Sequence, residues 1–190
     1  MPPYMTLSFG FAKDAKHELV RRFYEHFGAE DISFLGVLAW GCSPDLSMEQ
    51  IIVWNQQKLN EDFELGYDEH VSNDYRQVLY SVPPFSECRV FIMNNNEEIR
   101  FYCIVPESEI DQSNCTSLLT AADRVWANLP VRVIDSYGES DDGVGIKELE
   151  RGIAPTASLF AYVDELPAEL TEQFEVYKLN RGYRLRAKEA

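Results

Sequence analysis

The sequence predicts an α+β fold, a mostly antiparallel sheet with about three helices packed on it. Three observations predict it. Strand-like runs meet across Asn94-Asn95-Asn96 and across Asn180-Arg181-Gly182, and hairpins of this kind exclude a purely parallel sheet. Three segments repeat apolar residues at helical spacing. The order is mixed: helices and strands alternate only at the start, and strands then cluster in the middle and at the end.

Tyr4 to Phe11 alternates, with Met5, Leu7, Phe9 and Phe11 on one face and Thr6, Ser8 and Gly10 on the other, which reads as a half-buried strand. Lys13 to Phe27 reads as one amphipathic helix on Leu19, Val20, Phe23, Tyr24 and Phe27, with Gly28 as its stop. Ile32 to Trp40 is nearly all apolar and reads as a central strand, broken by Gly41-Cys42-Ser43-Pro44. Ser47 and Gln50 have capping-box spacing and open a second helix through Met48, Ile51, Ile52 and Leu59. Asn60 to Asp74 is polar and acidic, a helix end and a loop.

Arg76 to Val82 reads as a strand closed by Pro83-Pro84. Glu87 to Met93 and Glu97 to Val105 are rich in β-branched and aromatic residues and form a hairpin, because asparagine tolerates the conformations a tight turn needs. Ser113 to Asn128 is the third helix, apolar through Leu118, Leu119, Ala122, Val125, Trp126 and Leu129, and Pro130 ends it. Val131 to Ile134 is a short strand, Ile146 to Arg151 a helical turn, and Leu159 to Val163 another strand. Leu166 to Leu170 reads as a turn of helix opened by Pro167, and Phe174 to Leu179 with Tyr183 to Arg186 close the chain as a hairpin. At 190 residues this is a single α+β domain, 1–190. Two lobes divided near residue 83 is the alternative.

Charge narrows the function. With 17 Lys+Arg against 32 Asp+Glu the net charge is -15, a poor match to nucleic-acid phosphates. No apolar run is long enough to span a membrane. The N-terminal Met1-Pro2-Pro3-Tyr4-Met5-Thr6-Leu7 has neither the basic nor the apolar region of a secretory signal, so a cytoplasmic location is expected. There Cys42, Cys88, Cys103 and Cys115, which form no CxxC pair, are expected to be buried free thiols. Cys88 and Cys103 flank the central hairpin at nearly equal distance from its turn.

Motifs with a chemical mechanism are mostly excluded. Gly143-x-Gly145 lacks the third glycine of a dinucleotide fingerprint, position 148 being Glu, and the acids upstream oppose a pyrophosphate. Gly138-x-Ser140 is followed by Asp142 where a nucleophile elbow needs glycine. An EF-hand register puts Gly138 at the first ligand position, where no side-chain oxygen exists. His17 and His26 fall on opposite faces of one helix, so neither the histidines nor the cysteines have metal-binding spacing. His70, beside Asp68 and Glu69, and Cys42, between a strand and a helix start, are the residues nearest to a catalytic role, and neither has an assignable partner. Asn114-Cys115-Thr116 matches a glycosylation acceptor, which has no use without a secretory signal. No cofactor, metal site or catalytic residue is expected.

The carboxylates cluster instead. Glu61 to Asp111 holds 12 acids against Arg76, Arg89 and Arg100, Glu139 to Glu150 holds five against one lysine, and Asp164 to Glu175 holds five against none. Arg181, Arg184, Arg186 and Lys188 make the C-terminal hairpin basic. Acidic loops steer a basic partner into contact. The expected function is therefore an acidic cytosolic protein-binding factor, an inhibitor that occludes a basic protein partner by charge complementarity. In size, charge and lack of catalytic groups it resembles bacterial immunity proteins. Its expected contact residues are Glu107, Glu109 and Asp111, Glu139, Asp141 and Asp142, with Trp54, at the edge of its helix's apolar stripe, as an anchor. Two other readings remain: a non-catalytic subunit or adaptor of a larger assembly, such as a homodimer through an exposed sheet edge or the C-terminal hairpin, and a small carboxylate-using enzyme or small-molecule binder.

Overall fold

A computed structural model describes residues 3–28, 33–36, 46–64, 75–82, 85–110, 116–138, 148–149, 151 and 159–188. The strands are β1 (Tyr4–Ala12), β2 (Ser33–Gly36), β3 (Val78–Val82), β4 (Phe85–Asn94), β5 (Glu98–Pro106), β6 (Val131–Gly138), β7 (Phe160–Val163), β8 (Phe174–Lys178) and β9 (Tyr183–Ala187). Among the described residues they form one 9-stranded sheet, ordered β2-β3-β4-β5-β1-β6-β7-β9-β8. Every neighbouring pair is antiparallel. The fold is α+β, and the sheet contains strands from both sides of residue 83.

The helices α1 (Leu19–Phe27), α2 (Met48–Asn60) and α3 (Thr116–Asn128) pack on one face of this sheet. The odd-numbered side of β1 supplies the contact. Phe9 meets Phe23 edge-on at 5.2 Å and Phe27 at 6.1 Å, and Phe23 stacks on Phe101 of β5 at 4.1 Å. These rings are fully or almost fully buried, and burying a large apolar side chain contributes about 1.5–3 kcal/mol each. A smaller cluster of Val133, Ala161, Val163, Leu170, Phe174 and Leu185, joined by Leu149, lies on the opposite face at the C-terminal end of the sheet. A short helix, α4 (Leu170–Gln173), contributes to it. Among the described residues no helix is long and apolar enough to cross a membrane.

Local sequence chemistry accounts for several elements directly. Ser47 and Gln50 form the complete capping box of α2, with Ser47 Oγ accepting from the Gln50 amide at 3.3 Å and Gln50 Oε1 accepting from the Ser47 amide at 2.8 Å. The β4–β5 turn is tied by Asn95, whose Oδ1 accepts from the amides of Glu97 at 2.9 Å and Glu98 at 3.0 Å. Gly182 closes the β8–β9 hairpin at φ +63, where a Cβ would run into the Val163 carbonyl oxygen and stand 2.9 Å from Trp126 Cζ2.

Elsewhere the structure corrects the sequence reading. The first helix is not continuous: Lys13–Lys16 form a 3-10 turn, Glu18 takes a left-handed φ of 50, and α1 begins only at Leu19. Gln56 of α2 satisfies the break, its Nε2 donating to Lys16 O at 2.8 Å and its Oε1 accepting from Val20 N at 3.0 Å. His17 therefore lies outside α1, while His26 sits in its last turn. The apolar run read as a central strand gives β2 at one end of the sheet order, bonded among the described residues only to β3; Trp40 and Cys42 lie outside them. The β6 strand runs on through Asp135, Ser136 and Tyr137 to Gly138. Ser136 is buried there because its Oγ donates to Phe160 O at 3.0 Å and accepts from the amides of Leu159 and Phe160. The helical turn after Pro167 starts later than read, at Leu170. Finally, β1 is buried on both faces: Ser8 is as inaccessible as Phe9.

Candidate functional site: an acidic end of the sheet

The strand register assembles this site. β5 and β6 both run antiparallel to β1 and flank it, so both end beside its first residues: Pro106 lies opposite Tyr4 and Gly138 opposite Met5. With strands about 4.8 Å apart, the two chain segments leave the sheet about 10 Å from each other. The segment after Pro106 carries Glu107, Glu109 and Asp111, and the segment after Gly138 carries Glu139, Asp141 and Asp142. Glu107 and Glu109 are described; Asp111, Glu139, Asp141 and Asp142 lie outside the described residues, as does His70.

Glu107–Glu109 form a single 3-10 turn. The Glu107 amide donates to Pro3 O at 2.8 Å, which pins the turn against the start of β1 and leaves the Glu107 carboxylate in solvent. Glu109 turns toward the start of β4. Its carboxylate accepts from Ser86 Oγ at 2.5 Å and from the Ser86 amide at 2.7 Å. Those two bonds, the hydroxyl first, hold the Glu109 carboxyl below its ordinary value of 4.5. Beside it Glu87 accepts from Tyr4 Oη at 2.7 Å and pairs with Arg89 at 3.2 Å. This end of the sheet thus presents Glu87 on β4 beside Glu107 and Glu109 on the 3-10 turn, and Arg89 pairs with Glu87 there.

Trp54 is not brought to this end. Its ring lies on α2 with the Arg76 guanidinium 4.5 Å from its centroid and Lys58 Nζ at 5.4 Å. The Asn55 side chain clasps the backbone of Arg76, accepting from its amide at 2.6 Å and donating to its carbonyl at 2.9 Å. Arg76 precedes β3, and β3 enters the sheet at the end where the β4–β5 turn lies. Trp54 therefore sits toward the sheet end opposite the acidic one, stacked with cations of its own chain.

The basic hairpin is also committed internally. Arg181 pairs with Asp164 at 2.8 Å, donates to the carbonyls of Leu129 and Val131, and stacks over Trp126 at 4.3 Å, while Trp126 Nε1 donates back to Arg181 O at 2.7 Å. Arg184 pairs with Asp123 at 2.9 Å, and Asp123 also accepts from Tyr162 Oη at 2.8 Å. Lys188 donates to the carbonyls of Thr171 and Glu172. These contacts dock the hairpin on α3 and α4, so Arg181, Arg184 and Lys188, three of the four cations that gave it a basic sequence, are occupied by the chain's own acceptors.

Two features were missed from sequence. On the sheet face away from α1–α3, Glu98, Arg100, Tyr102, Ser8 and Asp135 form a polar strip less than one-tenth exposed. Arg100 forms an ion pair with Glu98, Tyr102 stacks on Phe91 at 5.0 Å, and Gly10 is closely covered, a Cβ there standing 3.3 Å from Val133 Cγ1 and 3.7 Å from Glu98 Oε2. Burial lowers the Arg100 pKa, but the Glu98 hydrogen bond and the charges beside it outweigh this and raise it. The strip joins β5, β1 and β6 across the sheet face away from α1–α3. Strand alternation put Ser8 on this face, but nothing local marked the face as buried. The second feature is a cleft of about 350 Å³ between Arg132, Arg151, Asp164 and Glu165 over Val133, Leu149, Val163 and Pro167. Asp164 is spent there on Arg181. No protein-family model matches the chain, and no curated protein sequence matches it either.

Proposed function

We propose that this protein is an acidic protein-binding factor, inhibitor- or immunity-like, whose acidic sheet end takes a basic surface of its partner and occludes it. One observation supports the reading above the rest: the register of β1 with β5 and β6 sends both acidic segments out beside the same residues, Tyr4 and Met5. Carboxylates grouped on one side of a rigid sheet focus the field that draws a basic protein in, which raises the association rate by 10–10³ at low salt. The partner is a protein with a cationic face, and binding needs no cofactor or metal.

The test uses two triple charge reversals. One is Glu107→Lys with Glu139→Lys and Asp141→Lys at the proposed end, which spares Glu109 and its bonds to Ser86. The other is Glu169→Lys with Glu172→Lys and Glu175→Lys, the same change of charge on and around β8 at the far edge of the sheet. A tagged chain is used to capture its partner from lysate of its native host at low salt. The expected outcome is one stoichiometric basic protein, released by high salt, held at least tenfold more weakly by the first variant and little changed by the second. Equal loss in both variants would reduce the effect to net charge, and retention by the first would remove the acidic end from the interface.

A further inference from the structure

Cys88 and Cys103 stand on adjacent strands of the central hairpin and on the same, helix-covered face. Val90 lies opposite Cys103, so Cys88 is the diagonal neighbour of Cys103 across β4 and β5. Both side chains are buried, and their sulfurs are 3.0 Å apart. That is about 1 Å beyond the 2.03–2.05 Å of a disulfide bond, so a small adjustment of two side chains joins them. Both are free thiols. A thiol is a weak donor and a weak acceptor, so an S–H···S contact satisfies little of either group.

We propose that Cys88 and Cys103 are an oxidation site that closes into a cystine linking β4 to β5, with a small-molecule disulfide such as glutathione disulfide as the oxidant. One cysteine thiolate attacks the glutathione disulfide, forming a mixed disulfide and releasing one glutathione. The second cysteine, losing its proton, displaces the other. Overall one S–S bond forms and one breaks; the two cysteines lose two protons and two electrons, and the oxidant takes both up and leaves as two glutathione thiols. Burial, with Cys103 beside it, raises the Cys88 thiol well above its ordinary value and keeps it protonated, and neither sulfur reaches solvent. The exchange therefore takes place while β4 and β5 are open, during folding or transient unfolding, and the folded hairpin then preserves whichever state it closed on.

The test is an exchange equilibrium in a chain carrying Cys42→Ser and Cys115→Ser, which leaves this pair as the only thiols. The chain is equilibrated with mixtures of glutathione and glutathione disulfide, once folded and once in urea, then quenched with an alkylating agent and weighed. The expected result is a single two-electron transition from a doubly alkylated chain to an unalkylated one lighter by two hydrogens. It should favour the bond about a hundredfold more in the folded chain than in urea, the scale expected for a loop of this length. A ratio of one or less, or a glutathione adduct that never resolves, overturns the proposal. The wild-type chain gives a second readout that does not depend on the serine variant folding. After oxidative refolding and trypsin digestion, peptides 77–89 and 101–124 should emerge joined, with fragmentation placing the bond at Cys103. A bond mapped to Cys115, or no joined peptide, refutes it.

Discussion

Replacing Gly182 with alanine tests how the C-terminal hairpin is held. Gly182 has φ +63, a region that costs an L-residue about 1–2 kcal/mol. The added Cβ would also run into the Val163 carbonyl and stand 2.9 Å from Trp126 Cζ2. One is strand backbone and the other a fully packed indole, so relief requires β7 and α3 to move apart, an overpacking cost of about 1–3 kcal/mol. Alanine stiffens the unfolded chain and returns about 0.4–1 kcal/mol. The net expectation is a loss of about 2–4 kcal/mol, which for a chain of this size lowers Tm on the order of 10 °C. Urea unfolding followed by circular dichroism measures it. Gly182→Asn separates the causes, because asparagine tolerates positive φ but brings the same Cβ. If the clash dominates, asparagine is as damaging as alanine; if backbone strain dominates, it recovers most of the loss. A Gly182→Ala chain within 1 kcal/mol of wild type would refute the claim that the turn is packed between β7 and Trp126.

Two further predictions concern charge. Burial first, and then the neighbouring Asp123 carboxylate, push the Tyr162 phenol far above its ordinary value of 10.0, with Arg184 opposing. Asp123→Asn removes that charge and the ion pair to Arg184, so ultraviolet titration should find one tyrosine ionising at lower pH than in wild type, with stability lowered by at most about 1 kcal/mol because the pair is partly exposed. Glu109 titrates below its ordinary 4.5 when folded, so its contribution to stability is full above 4.5 and is lost as pH falls through the depressed folded value. Ser86→Ala removes the hydroxyl bond and leaves the amide one, so it should move the Glu109 carboxyl part of the way back toward 4.5 in a carbon-detected NMR titration; an unmoved Glu109 would show that the Ser86 hydroxyl is not what lowers it.

Legibility from sequence followed the range of the interactions. The capping box at Ser47 and Gln50 and the turn at Asn95 are contacts within four residues, and both were readable. The break at Glu18 was not, because the group that satisfies it, Gln56, comes from a helix 40 residues away. β6 was read short for the same reason: Asp135 and Ser136 look like a strand's end until Phe160 supplies the partners that let Ser136 be buried. An apolar run reports burial but not sheet order, which is why β2 was read as central. The acidic segments were legible as composition, and their convergence was not, since it depends on β1 pairing with strands that begin at residues 98 and 131. Trp54 was singled out by its place on a helical stripe, a pattern blind to the two cations that stack on it.

The surplus of acids has a structural meaning beyond solubility. Lys13, Lys16, Arg21, Lys58, Arg89, Arg100, Arg181 and Arg184 all have carboxylate partners within the chain. Apart from Arg100, which is buried with Glu98, these pairs are partly or wholly exposed and contribute about 0–1 kcal/mol each, so they hold little energy, but they remove cations from the pool that could answer a neighbouring acid. The net charge left over is negative, -15. At the start of β1 such charge leaves on two chain segments about 10 Å apart. The screening length is about 8 Å at physiological salt and about 30 Å at 0.01 M, so the two segments act separately in the first case and as one field in the second. On the proposed function, binding of a basic partner is expected to depend more steeply on salt than either segment alone would make it, which affinities measured at 0.01 M and at physiological salt check.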